Sequence, residues 1–302
     1  MSKFVHLHVH TQYSLLDGAI RLKDLFETAR SYNMPAVAMT DHGNMFGALE
    51  FYELAKKYEI KPIIGCEAYV APKSRHDRGG KLDNDANGND DRTNHLVLLA
   101  RDLTGYQNLM KLVSLGYLEG FYYKPRIDRE ILRKHSEGLI GLSACLKGEV
   151  ASFLLKNQED NARKAAMEYA EIFGPGNFYL EIQANGLPEQ AIVNDGLVRL
   201  AGELSLPLVA TNDCHYLKRS DARAHELLLC IQTGKTILDE KRFKFQTDHL
   251  YFKSPDEMIR DFSHIPGALE NSLAIAERCN LKLNLGEYHF PVFPLDPGES
   301  VE

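Results

Sequence analysis

A closed α/β barrel is the fold class this sequence predicts, and three observations lead to it. Seven short apolar runs recur along the 302-residue chain, segments of helical period separate most of them, and no phosphate-cradling glycine motif follows any run. Alternating strand and helix units imply a parallel sheet covered by helices. Buried, continuous runs of this kind suit either a closed barrel or an open doubly wound sheet. The absence of GxGxxG and GxxxxGK[ST] removes the usual nucleotide-binding reason for the open form, so the barrel is the expectation.

The strand-like runs lie near 3–9 (KFVHLHV), 35–40 (PAVAMT), 62–70 (PIIGCEAYV) and 95–100 (HLVLLA). Three more follow near 138–143 (GLIGLS), 177–183 (NFYLEIQ) and 207–212 (PLVATN). Helical spacing of apolar residues predicts helices over 22–32, 48–58, 103–118, 161–173 and 188–204. Residues 72–93 are polar, rich in Gly and Asp/Asn, and lack any apolar period, so they read as a long exposed loop. Asp83, Asp85, Asn87 and Gly88 superficially match a calcium loop, but its closing Glu is replaced by Asn94 and helical flanks are missing. Helical patterns at 255–262 and 266–279 then give way to the proline-bearing tail YHFPVFPLDPGESVE. The expected organisation is one domain over 1–285 and a connector over 286–302 that leads toward something larger.

Composition narrows the function classes. A hydrophobic content of 44% is enough for a sizeable core, and a formal net charge of -7 argues against gripping duplex DNA by backbone neutralisation alone. Nucleic acid, if handled, is handled at a local site. Five cysteines without paired spacing, no leader and no long apolar run fit a reduced cytoplasmic protein with no membrane partner.

The candidate chemistry sits at strand ends. His8 and His10 are two apart on a strand, so their rings project from one face and can close on one metal. His6 shares that parity one layer deeper and reads as a hydrogen-bonded interior histidine. Asp17, in the loop YSLLDG, taken alone reads as a turn former or helix cap. The second run ends in Thr40-Asp41-His42-Gly43, and the third carries Glu67, a carboxylate in a run that should be buried. After the last run come Asp213, Cys214 and His215, where alternation puts Asp213 and His215 together and Cys214 opposite. His95 stands at the entry of its run, the wrong edge for a simple barrel, and Cys145 reads from the residues alone as a core thiol. Histidines and carboxylates converging on one barrel mouth suit zinc, manganese or iron, and more than one ion suits phosphate ester hydrolysis. His76, His135, His225, His249, His264 and His289 read as surface or packing residues.

LHVHT at 7–11, Asp17-Gly18, TDHG at 40–43, Glu67 and Asp213-Cys214-His215 resemble the polymerase-and-histidinol-phosphatase (PHP) superfamily. The strings HLHVHTQYSLLDGA, PAVAMTDHGNMFGALEFY, IKPIIGCEAYVAP, LVATNDCHYL and LLLCIQTGKTILDEKRFKF look like its branch in the alpha subunits of bacterial DNA polymerase III, over essentially the whole chain. The resemblance implies a distorted seven-stranded β/α barrel with up to three divalent ions at its mouth. The implied ligands are His8, His10, Asp17, His42, Glu67, His95, Cys145, Asp213 and His215, with Glu67 and Asp213 as the bridging, catalytic pair. Members that keep the full set remove nucleotides from a primer 3′ end, whereas others serve as scaffolds. Every position is filled here, so the resemblance implies a metal-dependent 3′–5′ exonuclease with water as nucleophile. It implies as partners DNA with a single-stranded or frayed 3′ end, a polymerase module in the same parent chain, and a proofreading subunit or other replisome proteins. Lys124, Arg126, Arg129, Lys235, Lys241, Arg242 and Lys244 are candidates for neutralising a few phosphates near the mouth.

Overall fold

The computed structural model describes residues 4–15, 17–78, 93–288, 290, 291 and 294. Most of the expected 72–93 loop, its calcium-like stretch and most of the expected connector lie outside the described residues. Seven strands form one curled sheet: β1 (Ala36–Met39), β2 (Lys61–Val70), β3 (Asn94–Ala100), β4 (Arg126–Ile127), β5 (Leu139–Leu142), β6 (Phe178–Gln183) and β7 (Leu208–Thr211). The neighbour order is β1-β2-β3-β5-β6-β7, with the short β4 paired to β2 off this path. Helices α1 (Leu22–Ser31), α2 (Ala48–Tyr58), α3 (Leu103–Leu118), α4 (Arg129–Lys134), α5 (Glu149–Leu155), α6 (Glu159–Phe173) and α7 (Pro188–Leu204) lie between and around the strands. Past β7 come α8 (Ala222–Thr233), α9 (Pro255–Phe262) and α10 (Glu270–Arg278).

Local sequence explains the helices economically. In α1, Leu22, Leu25, Phe26 and Ala29 are the buried positions, a stripe at helical spacing that faces the sheet. Asp102 caps α3 by accepting from Gly105 N, and Ser254 with Glu257 forms a capping box at α9, where Pro255 takes a first-turn position.

Two expectations about the sheet need correction. The sheet is not all parallel: β3 runs antiparallel to both β2 and β5. A parallel crossover needs an apolar helix to cover the sheet, and the polar 72–93 stretch has no apolar face to offer. Nor is the expected first strand a regular one. Its segment is instead a seam between the two edges of the sheet. Ala38 N donates to His6 O (3.0 Å) and Thr40 N to Val9 O (2.9 Å) on the β1 side. On the β7 side His10 N donates to Cys214 O (2.8 Å) and Cys214 N to His8 O (3.1 Å), which closes the barrel.

Alternation along the strands sorts the interior into layers. At the bottom Ile63 of β2, Leu99 of β3, Ile140 of β5, Tyr179 of β6 and Val209 of β7 pack together, and Ile275 of α10 joins them. The alternate positions Leu98, Leu180 and Ala210 belong to the other apolar cluster, which packs between strands and helices. Burying each large apolar side chain contributes about 1.5–3 kcal/mol. Higher in the barrel the same inward parity places Glu67, His95, Glu181, Gln183 and Thr211, all buried. The interior is apolar below and polar above.

The seam depends on Thr40, whose hydroxyl accepts from Val9 N (2.8 Å) and donates to Val9 O (3.2 Å). Thr40→Val keeps the shape but leaves the Val9 N–H buried and unpaired, so it should lower stability by about 1–3 kcal/mol in urea unfolding. A change under about 0.5 kcal/mol, the size of an ordinary surface substitution, would mean the seam does not depend on that hydroxyl.

Candidate metal centre

All nine residues singled out as ligands meet at one rim of the barrel. His8 and His10 come from the seam, His42 follows β1, Glu67 lies within β2, Cys145 follows β5, and Asp213 and His215 follow β7. His95 was placed at the wrong edge on the premise of a parallel sheet. Because β3 runs backward, its entry pairs with the end of β2, Tyr69 opposite His95, and lies at the same rim. Asp17 arrives on a loop folded tightly against its own start. A Cβ on Gly18 would come within 1.9 Å of Thr11 O, so only glycine permits that return. Asp213 takes a left-handed φ of 50°, which turns the chain so that both Asp213 and His215 face the site.

Glu67 is the hub. Its Oε1 lies 2.9 Å from His95 Nδ1 and 3.3 Å from His8 Nε2. Its Oε2 lies 2.7 Å from His42 Nδ1 and 3.5 Å from His10 Nε2. Asp213 Oδ1 is 3.2 Å from His8 Nε2 and 3.1 Å from His10 Nε2. Asp17 Oδ2 is 3.1 Å from His42 Nε2, and Cys145 Sγ is 3.8 Å from both Glu67 Oε1 and His95 Nδ1. The His215 ring stacks on His10 at 4.3 Å between centroids.

Electrostatics follow from this crowding. Burial opposes ionisation of Glu67, but the facing His95, His8 and His42 outweigh it and hold the carboxyl well below the usual carboxylate range. Burial likewise opposes ionisation of Asp213, and His8, His215 and His10 overcome it. His42, buried yet set between Asp17 and Glu67, is pushed up to about 10. His10 is pushed down to about 3 by burial and by His42 and His215 beside it. Burial, with Glu67 and Asp213 nearby, raises the Cys145 thiol. Protons on some histidines thus balance a surplus of buried carboxylate charge, a balance that divalent cations supply equally well.

The donors fit such ions. Asp17 Oδ1, His42 Nδ1, Glu67 Oε2 and Asp213 Oδ1 are buried without hydrogen-bond partners. His42 Nδ1 and Glu67 Oε2 approach to 2.7 Å without hydrogen-bond alignment, as two ligands aimed at a common third point do. Among the described residues three groups place their donor atoms within 4.8 Å of one another: His8-His10-Asp213, His42-Glu67-His95 and His10-His42-His215. The groups share His10 and His42, so they abut. Imidazole nitrogens with carboxylate oxygens suit zinc, manganese or iron chemistry.

Sequence reasoning missed the residues that hold these ligands. His10 Nδ1 meets Ser14 Oγ at 3.0 Å, and Ser14 in turn donates to Asp41 Oδ1 at 2.8 Å. His8 Nδ1 meets Glu181 Oε1 at 2.7 Å. Glu181 carried the signal that exposed Glu67, a lone carboxylate in an apolar run, FYLEIQ beside GCEAYV. His225, read as a packing residue, is indeed buried, and its Nε2 also meets Asp17 O at 2.8 Å. His6 is interior and hydrogen-bonded as expected but on the other side of the seam. Its Nε2 meets Lys253 O at 2.8 Å and its ring packs on Phe252. Of the candidate phosphate-neutralising residues, three have other partners: Arg126 is buried on the carbonyls of Gly120, Arg75 and Asp77, Arg129 pairs with Glu149 and Glu168, and Arg242 with Glu226. Lys124 does reach the rim, with Nζ 5.1 Å from the centroid of Tyr69, whose ring neighbours His42 and His95.

Comparison with known proteins identifies the family of the chain. The model of the PHP domain family matches residues 6–185, short of Asp213 and His215. The DNA polymerase III alpha subunits of Deinococcus radiodurans and Thermus aquaticus are each 49% identical to the chain over 99% of its length. The chain spans 23% and 25% of those two relatives, about a quarter. A solved two-domain protein of Bacteroides vulgatus containing a predicted PHP-like metal-dependent phosphoesterase aligns with 90% of this chain and 63% of its own, at 13% identity and a TM-score of 0.41. The chain belongs to the PHP domain family, and over nearly its whole length it is similar to bacterial DNA polymerase III alpha subunits.

Proposed function

We propose that this chain is the PHP domain of a bacterial replicative DNA polymerase and that it hydrolyses phosphodiesters at DNA 3′ ends, as a metal-dependent 3′–5′ exonuclease in proofreading. The observation that carries the reading is the meeting of all nine residues at one rim, seven of them in three abutting groups, with Asp17 beside His42 and Cys145 beside Glu67 and His95. The match of nearly the whole chain to about a quarter of each polymerase relative supports the parentage. On this reading residues 1–285 are the phosphoesterase domain, 286–302 lead toward the polymerase module, and the protein works in the cytoplasm beside replisome partners.

His8, His10, Asp17, His42, Glu67, His95, Cys145, Asp213 and His215 hold the ions. Bound divalent ions supply acidification of a water and neutralisation of phosphate charge. Glu67 has a role no other ligand shares, since its two oxygens face histidines of all three groups. Asp213 faces His8 and His10 at once and ties the seam to the end of β7. Lys124 brings a cation to the rim, where a phosphate of a single strand is received.

Glu67→Gln and Asp213→Asn should each reduce 3′ degradation of a labelled single strand by at least about 100-fold, the loss typical when a key charge-stabilising group is removed. Added manganese or zinc should not restore it. Wild-type chain should degrade single strands and frayed ends faster than blunt duplex. No nuclease activity in the wild type with any divalent metal, or full activity in Glu67→Gln, would sink the catalytic reading.

A second reading, a metal-stabilised scaffold for the polymerase, is favoured by the burial of the donors, since His8 and His10 are 0% exposed and Glu67 1%. Elemental analysis should find at least two divalent ions per chain. At free metal about 100 times the dissociation constant, binding adds about 2.7 kcal/mol of stability, so chelation should lower the melting temperature. Asp213→Asn should lose both metal and that increment. A metal-free wild type with an unchanged melting temperature would remove both readings.

A further inference from the structure

One buried carboxylate touches a ring of the rim without being among the nine residues. Glu181 points inward from β6, 0% exposed, one layer below the donors. Its Oε1 is met by His8 Nδ1 at 2.7 Å, by the Thr211 hydroxyl at 2.5 Å and by Gln183 Nε2 at 2.9 Å. Its Oε2 is buried without a partner. A polar group placed there only to fill the barrel is expensive, and among the described residues its only ion-pair partner is His8.

The surroundings hold Glu181 still. Its backbone N donates to Ser143 Oγ at 2.8 Å, which ties β6 to the end of β5. Gln183, the next inward residue, is itself held from α7: Asn194 Nδ2 donates to Gln183 O at 2.7 Å, and Gln190 Nε2 donates to Asn194 Oδ1 at 2.9 Å. A chain of amides thus runs from the helix layer into the barrel and ends on one carboxylate. Glu181 Oε1 already accepts from a hydroxyl and an amide N–H, so the His8 Nδ1 facing the same oxygen is a donor as well. In the neutral ring the lone pair then lies on the other nitrogen, Nε2, which faces Glu67 Oε1, Asp213 Oδ1 and His10 Nε2 within 3.3 Å.

We infer that Glu181 is a positioning residue for the metal centre: it fixes His8 with its proton on Nδ1 and its Nε2 lone pair aimed at the ion shared with His10 and Asp213. The inference rests on the metal reading proposed above and adds to it a tenth residue that touches no ion. Carboxylate partners of this kind orient the ring and raise its basicity, and losing one weakens metal affinity by about 10–100-fold. A glutamine at this position offers both an amide N–H and a carbonyl, so it no longer dictates which ring nitrogen keeps the proton.

The test uses the 302-residue chain and zinc as the probe. Glu181→Gln should bind zinc about 10–100-fold more weakly in competition with a chromophoric chelator. Thr211→Val, which removes a different donor from the same carboxylate, should bind as wild type does. Nitrogen-15 spectra of zinc-loaded wild type should place the His8 proton on Nδ1. Zinc binding by Glu181→Gln equal to wild type would overturn the inference, as would a His8 proton on Nε2, a result that needs no variant to fold. Failure of the wild type to bind zinc would instead sink the metal reading itself. Loss of nuclease activity with zinc affinity unchanged would likewise count against a positioning role.

Discussion

The seam at residues 4–10 is the contact on which the rest of the structure depends. β1 and β7 are the two edges of the sheet, and an open edge is a row of unpaired donors and acceptors. Backbone bonds from His6 and Val9 to β1, and from His8 and His10 to Cys214, satisfy both rows with one strip of chain. The strip gives up regular strand geometry to do this. Both His8 and His10 look into the site while His6 faces the Phe252 side, an arrangement strict alternation over 6–10 would not allow. Closure of the barrel and delivery of two candidate ligands are therefore one event.

Above that seam the barrel bears a charge arrangement that an apolar core could not. Glu67, Asp213 and Glu181 are buried carboxylates, and each lies against at least one imidazole. Removing one member of such a set leaves the others uncompensated in a low-dielectric interior, which destabilises far more than the pair itself stabilises. The apolar layer beneath, from Ile63 to Val209 and closed by Ile275, gives the rim its rigidity and keeps water from entering from below.

Much of this was legible in the sequence. Six of the seven strand-like runs are strands, and helices over 48–58, 103–118, 188–204 and 255–262 have the expected limits. The periods of those segments are long and uninterrupted, so local pattern and tertiary packing agree. Short elements escaped: β4, α4 and α5 are too brief for a period to show, and in α8 the apolar residues are not confined to the buried face, since Leu227 and Ile231 are exposed. The direction of β3 was misread because strand alternation says nothing about which way a strand runs. The polar 72–93 stretch held the clue, since it cannot cover a sheet, and His95 looked misplaced only for that reason. The candidate ligands were visible because histidines and carboxylates at strand ends stand out against apolar runs. Ser14, Asp41 and His225, which hold those ligands in place, do not stand out, because turns and helix starts ordinarily carry such residues.

The seam also fixes the order in which the molecule can be completed. His6 contacts Cys214 across 208 positions of sequence, and His8 and His10 find Asp213 only over a comparable span. Contacts this distant close long loops in the chain and are made late in folding. On a ribosome, the first ligands to emerge must wait, exposed, until β7 and the turn after it have left the tunnel. The candidate metal centre is thus a record of completed synthesis: a chain truncated before His215 lacks a side chain of the cluster, however well its earlier strands have paired.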